Sequence, residues 1–214
     1  MPVVTQILPQ KKRPNRRNIH LDGQFAFGLN DNVVAKFRLR EGLTLTDDQV
    51  KEIAAGEVRQ ECLDYALKYL GMRLHSRAEL RKKLVRREYG DPVIDPVLDD
   101  LARMGYLDDA RFAKAKALSA AEHKHHGRRR AYVELIKAGV KQDVANTALD
   151  DVYDQSDSLA AARHLAEKKA PSLKRLDPPT ARRRLAAMLQ RRGFDYETIK
   201  PVIDQVLGDT DRHD

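Results

Sequence analysis

The chain has 214 residues, with 40 Lys and Arg against 32 Asp and Glu and a net charge of +8. Trp is absent, aromatics make up 6% and Cys62 is the single cysteine, which excludes an internal disulfide, a cysteine-based zinc site and a core of large rings. No stretch approaches about 18 consecutive apolar residues, and "MPVVTQILPQKKRP" has Pro and charge where a signal peptide needs an apolar run, so a cytoplasmic protein without membrane contact is expected.

Strand signals come first. "VVTQIL" (3–8) and "NIHLDGQFAFGL" (18–29) carry β-branched and aromatic residues, and Asp22-Gly23 sits between two apolar alternations. That pair predicts a tight hairpin, because its turn needs positive φ at both central positions. "KKRPNRR" (11–17) is too polar for a core and reads as a loop or strand edge. Asn30 or Asp31 is placed to cap a short helix through Phe37, "GLTL" is extended, and Thr46 caps "DDQVKEIAAG". Gly56 is expected to end this α+β module, residues 1–57.

Beyond it only helical periodicity remains. The expected segments are 58–71, 76–88, 91–104, 109–124, 128–138, 141–153, 156–169, 178–192 and 195–207. Aligned on Leu84, Leu135 and Leu189, which are 51 and 54 residues apart, they fall into three copies of a three-helix unit. Val97, Ala148 and Val202 share one later position, as do Leu98, Leu149 and Ile203, and then Leu101, Val152 and Val206. The expected fold class is therefore mostly α: a tandem array of three three-helix repeats, helix-turn-helix-like, elongated and curved, behind an α+β module with a β-hairpin. The repeats are assigned to 58–108, 109–155 and 156–208, with a polar tail at 209–214.

Charge repeats with the helices. Residues 73–87 hold seven basic side chains against Glu79, and residues 91–109 hold six aspartates against Arg103. Arg182, Arg183, Arg184, Arg191 and Arg192 likewise precede Asp195, Glu197 and Asp204. Arg73, Arg77, Arg81, Lys82, Arg86, Arg128, Arg129, Arg130, Lys137, Arg182, Arg183 and Arg184 are the candidate contacts to a partner or to nucleic acid. The third helices begin "DPVID", "KQDVA" and "DYETI", which disfavours base reading by a recognition helix. "HKHHG" (123–127) lacks neighbouring carboxylate or thiol ligands, and the adjacent aspartates 99–100 and 150–151 straddle a helix face. No enzyme, metal or cofactor is expected.

"GYLDDARFA" (105–113) is the most distinctive stretch. Gly105 ends one helix, Tyr106 and Leu107 are placed to pack as an anchor between repeats, Asp108 or Asp109 caps the next helix, and Phe112 and Ala113 face its core. This motif, with "ALKYLGMRLHSRAELRKKL", "VLDDLARMGY" and "GRRRAYVELIKAGV", resembles the RecX family of regulatory proteins that restrain the RecA recombinase. Leu70, Arg73, Ser76, Glu79 and Leu80 resemble the start of that family's first repeat, and "HLDGQFAF" with "LREGLTLT" is similar to the N-terminal extension of its longer members. "GMRLHS" is less basic than the frequent Arg-x-Arg-Ser form, and "APSLKRLDPP" is a Pro-containing insert expected to be a longer loop. The resemblance implies a modulator of RecA and of the RecA–DNA filament, with weak non-specific binding to single- or double-stranded DNA and a monomeric state. The alternative is a free-standing, non-specific DNA-binding or transcription-regulating helical protein.

Overall fold

A computed structural model describes residues 1–154 and 157–208; the expected polar tail (209–214) and the expected junction of the second and third repeats (155–156) lie outside the described residues. Strands β1 (Val4–Gln10), β2 (Arg13–Leu21) and β3 (Gln24–Asn30) form an antiparallel sheet with β2 in the middle. Asp22 and Gly23 turn β2 into β3 with φ of 49° and 81°, the left-handed pair that the hairpin needs. Val4, Ile19, Leu29, Val33, Leu39, Leu45 and Ile53 close the core under the sheet.

Two expectations in this region are corrected. Residues 13–17 are strand rather than loop: Arg17 pairs with Asp31 at 2.7 Å, and Arg16 reaches Glu57 at 2.8 Å and Glu61 at 3.1 Å, so the basic run is neutralised from one side. Pro14 is tolerated because β3 pairs with β2 only from Arg16 onward. The second correction concerns Gly56. Helix α1 (Asp31–Lys36), capped by Asn30, is followed by α2 (Asp47–Met72), one unbroken helix where two were expected. Thr46 and Gln49 form a reciprocal capping box at its start. Gly56 lies mid-helix because the Phe37 ring occupies the place of its Cβ: an added carbon would sit 2.7 Å from the ring. Glycine here serves close packing, not termination.

The remaining described helices follow the expected segments closely: α3 (Arg77–Val85), α4 (Asp91–Arg103), α5 (Asp109–Glu122), α6 (Arg128–Lys137), α7 (Gln142–Tyr153), α8 (Ser158–Lys169), α9 (Pro178–Arg191) and α10 (Tyr196–Leu207). The Pro-containing insert is not plain loop. It makes a 3-10 turn at Ala170–Leu173 that buries Leu173, and Asp177 then caps α9.

The chain divides into two units: Met1–Arg73 with Leu80–Tyr106, and Leu74–Glu79 with the chain from Leu107. In the first, α4 packs on α2. In the second, α5, α6 and α7 enclose one core and α8, α9 and α10 another. Leu84, Leu135 and Leu189 are fully buried, as are Leu98 and Leu149, so the repeat register follows the leucine alignment. Each such leucine contributes roughly 1.5–3 kcal/mol by leaving water.

Within the second unit, one junction occurs twice. The Ser76 hydroxyl, eight residues before Leu84, donates to the Ala138 carbonyl, three residues after Leu135, at 2.5 Å. Gly127, eight before Leu135, donates its N–H to the Arg192 carbonyl, three after Leu189, at 2.9 Å. The next residue is glycine in both receiving repeats: Gly139 and Gly193 have φ of 78° and 92° and leave no room for a Cβ.

Candidate polyanion and partner interface

Each repeat presents its basic middle helix (α3, α6 or α9) beside an acidic third helix (α4, α7 or α10). Arg128 bonds Asp150 and Arg182 bonds Asp204, at identical offsets from their reference leucines. In the first repeat Arg81 lies 2.6 Å from Asp91 and 3.5 Å from Asp95. The hydrogen bond from Arg182 holds Asp204 below its ordinary carboxylate range, helped by Lys200. Surface pairs of this kind contribute at most about 1 kcal/mol each, so their main effect is to orient side chains. The repeated charge pattern is thus partly internal: in each repeat an arginine is tethered to its own third helix.

Lys82, Arg86, Arg129, Lys137, Arg183 and Arg184 are exposed. Arg73 is the exposed C-cap of α2, and Arg77 opens α3. Arg130 packs against Gly193 and lies 3.5 Å from Glu134. Arg129, Arg182 and Arg183 come together with Lys200 around a cleft of about 600 Å³, whose apolar wall includes Phe194, Ile199 and Ile203. Arg184 points elsewhere. It lines a cleft of about 730 Å³ with Lys168, Lys169, Arg191 and Arg192, and no carboxylate lines it. Arg191 and Arg192 belong to the basic group read from the third repeat, but none of the four was among the candidate contacts. Their signal was present in "EKKA" and "QRRG", two basic pairs at helix C-termini, where cations also favour the helix dipole.

The Gly105–Ala113 motif has a defined geometry. Gly105 takes φ 75°, Leu107 is buried, and Phe112 and Ala113 enter the core around α5. Asp108 caps α5 by accepting from the backbone N–H groups of Ala110 and Arg111. Asp109 does not cap its own helix. Its carboxylate accepts from the Arg77 N–H at 2.7 Å, at the start of α3. The expected Tyr106 anchor is corrected: that ring is 58% exposed, and Leu107 alone packs.

"HKHHG" folds around Glu134. Lys124 approaches this carboxylate at 3.3 Å and the His126 ring at 3.1 Å, while the Tyr153 hydroxyl donates to the His126 carbonyl at 2.7 Å. Burial works against the Glu134 charge, but the hydrogen bond and charge of Lys124, with His126, leave its pKa lowered. Burial also pushes the His126 imidazole below its ordinary value; Glu134 opposes this, and Arg192, Lys124 and Arg130 reinforce it. Among the described residues no group of three or more His, Cys, Asp or Glu is placed to hold a metal ion, and no helix is long and apolar enough to cross a membrane.

Four family descriptions match in series: the regulatory protein RecX N-terminal domain over residues 2–46, and the first, second and third three-helix domains of RecX over 62–101, 108–149 and 155–203. Regulatory protein RecX of Bacillus subtilis (strain 168) is 31% identical over 211 residues, spanning 99% of this chain and 80% of that protein. The chain belongs to the RecX family. The RecX protein of Pelodictyon phaeoclathratiforme is 36% identical over 141 residues, 66% of this chain and 86% of its own. A crystal structure of regulatory protein RecX superposes with a TM-score of 0.79 at 22% identity, covering 95% of this chain and all of that one. RecX from Lactobacillus salivarius gives 0.60 at 21% identity, over 69% and 96% of the two chains. The fold is shared with both. RecX proteins are regulators, not enzymes.

Proposed function

We propose that this RecX-family protein acts in the cytoplasm as a monomer that binds RecA and its filament on DNA. It inhibits filament growth, and with it strand exchange, coprotease action and ATP turnover, and so modulates recombination, repair and the SOS response. The observation that carries this reading is the set of cations left over once each repeat has made its internal ion pair. Arg129 and Arg183 rim one cleft, and Lys168, Lys169, Arg184, Arg191 and Arg192 surround another without a carboxylate. Such groups suit the phosphates of filament DNA or an acidic face of RecA. Repeated modest contacts along a filament add through effective concentration, so no single one has to be strong.

The test is a pair of titrations at several salt concentrations. One follows RecA ATP turnover on single-stranded DNA, and the other follows binding to naked single- and double-stranded DNA. Inhibition is expected at protein concentrations well below those that occupy naked DNA. Naked-DNA binding without inhibition would favour the free-standing DNA-binding alternative.

A further inference from the structure

The first unit holds a cleft of about 590 Å³ lined by Glu61, Tyr65, Tyr69, Lys83, Arg86, Arg87, Glu88 and Tyr89. Tyr65 and Tyr69 stand one turn apart on α2, so their rings share a face. The Tyr89 ring lies 6.4 Å from that of Tyr65. The Arg87 guanidinium stacks 3.7 Å over Tyr65 and donates from Nε to the Tyr69 hydroxyl at 3.0 Å, and Lys83 lies 4.4 Å over the Tyr69 ring. None of Tyr65, Tyr69, Lys83, Arg87, Glu88 and Tyr89 is needed for the RecA reading, and the cleft stands on its own geometry.

We infer that this cup is a binding site for single-stranded nucleic acid, in which an unstacked base lies on the Tyr65–Arg87 platform while Lys83 and Arg86 meet the flanking phosphates. The flat guanidinium of Arg87, stacked on Tyr65 with the Tyr89 ring beside it, offers its outer face to any base by its π-face. A duplex keeps its bases stacked inside and cannot use it. The two carboxylates argue against a free phosphate as the ligand. Glu61 is held by Arg16 at 3.1 Å, but Glu88 is exposed at the rim with φ 67°. An anion there repels phosphate and accepts a hydrogen bond from an exocyclic amino group, as on cytosine. Burial pushes the Tyr89 hydroxyl up to about 12, so this ring stays neutral beside the base.

The experiment uses the full chain and fluorescein-labelled dC12, dT12 and a duplex of equal length, read by anisotropy from low to moderate salt. Arg87→Gln changes an exposed side chain, and Tyr65→Leu removes the ring beneath it; circular dichroism melts confirm folding of both. Each is expected to weaken dC12 binding about tenfold while leaving the duplex unaffected. Lys83→Gln should lower the log–log salt slope on single strands by about 0.7. Glu88→Gln should erase a preference for dC12 over dT12. Wild-type affinity in folded Arg87→Gln and Tyr65→Leu, or equal losses on the duplex, would overturn the site. Absence of a dC12 preference in the wild type would overturn the role given to Glu88. No RecA is present, so these outcomes are independent of the inhibition titrations.

Discussion

Gly139 lies against Ala78 so closely that a Cβ added to it would collide with the Ala78 methyl. Two demands therefore fall on one residue, a left-handed backbone at φ 78° and the absence of a side chain. Gly105 meets only the first, since its φ is 75° but nothing lies within 4 Å of an added Cβ. Gly105→Ala is expected to cost about 1–2 kcal/mol, the strain of the left-handed region alone. Gly139→Ala should cost distinctly more, because the junction must also move apart. Urea denaturation of the two variants checks the order; equal losses would mean that the junction yields without resistance.

Ser76 serves the same junction from the other side. Its hydroxyl donates to Ala138 and accepts from the Glu79 N–H at 3.0 Å, so one buried side chain joins two repeats and caps α3. Ser76→Ala should destabilise the protein by about 1–3 kcal/mol. Ser76→Thr, which keeps the hydroxyl, should lose less, provided that its methyl fits. Thermal melts of the pair separate the hydrogen bonds from the packing.

The run Arg128-Arg129-Arg130 should divide by function. Arg128→Ala breaks the pair with Asp150 and is expected to lower stability by no more than about 1 kcal/mol. Arg129→Ala removes an exposed cation and should leave stability unchanged while weakening RecA inhibition. Combined with Arg184→Ala, it should also flatten the salt dependence of naked-DNA binding if these groups meet phosphates, by about 0.7 per contact on single strands. Unchanged inhibition by the double variant across the salt range would leave these arginines as solvated surface only.

Acidification should loosen the second unit through His126. Its folded pKa is lowered from 6.5, so the unfolded chain takes up a proton first as the pH falls. The stability tied to the neutral ring is present above about pH 6.5 and is lost progressively as pH drops through the lower, folded value. His126→Gln should reduce this loss. Denaturation midpoints at pH 7.5 and pH 5.5 for the two proteins provide the measurement; an equal drop in both would assign the acid sensitivity to other groups.

The helical part of the fold was legible from its apolar spacing, and Asp108 caps α5 as expected; the caps Asp177 and Asp195 were not read in advance. The break expected at Gly56 failed because glycine has two uses, and only the tertiary position of Phe37 decides between them. The strand through Pro14 was hidden for a similar reason, as Arg16 and Arg17 become strand residues only once Glu57 and Asp31 are beside them. At the interface, sequence exposed the basic helices but not which cations are consumed internally. Asp150 and Asp204 are 22 residues beyond Arg128 and Arg182, a separation that no local pattern reports. The tyrosine cup was missed altogether. Its rings come from α2 and from the turn that follows α3, and each looks like ordinary half-buried packing when read alone.

The glycines at the repeated junction also give the array a direction. At both junctions the start of one middle helix donates to a carbonyl at the end of the next, never to a like end. Four residues after the reference leucine, the two receiving repeats have Gly139 and Gly193, whereas the first has Glu88, also at positive φ. Glycine at this point acts as a grammatical mark: it distinguishes a unit that follows another from one that opens the series. A fourth unit spliced in ahead of the first would require Glu88 to become glycine, while one appended after the third would have to bring its own.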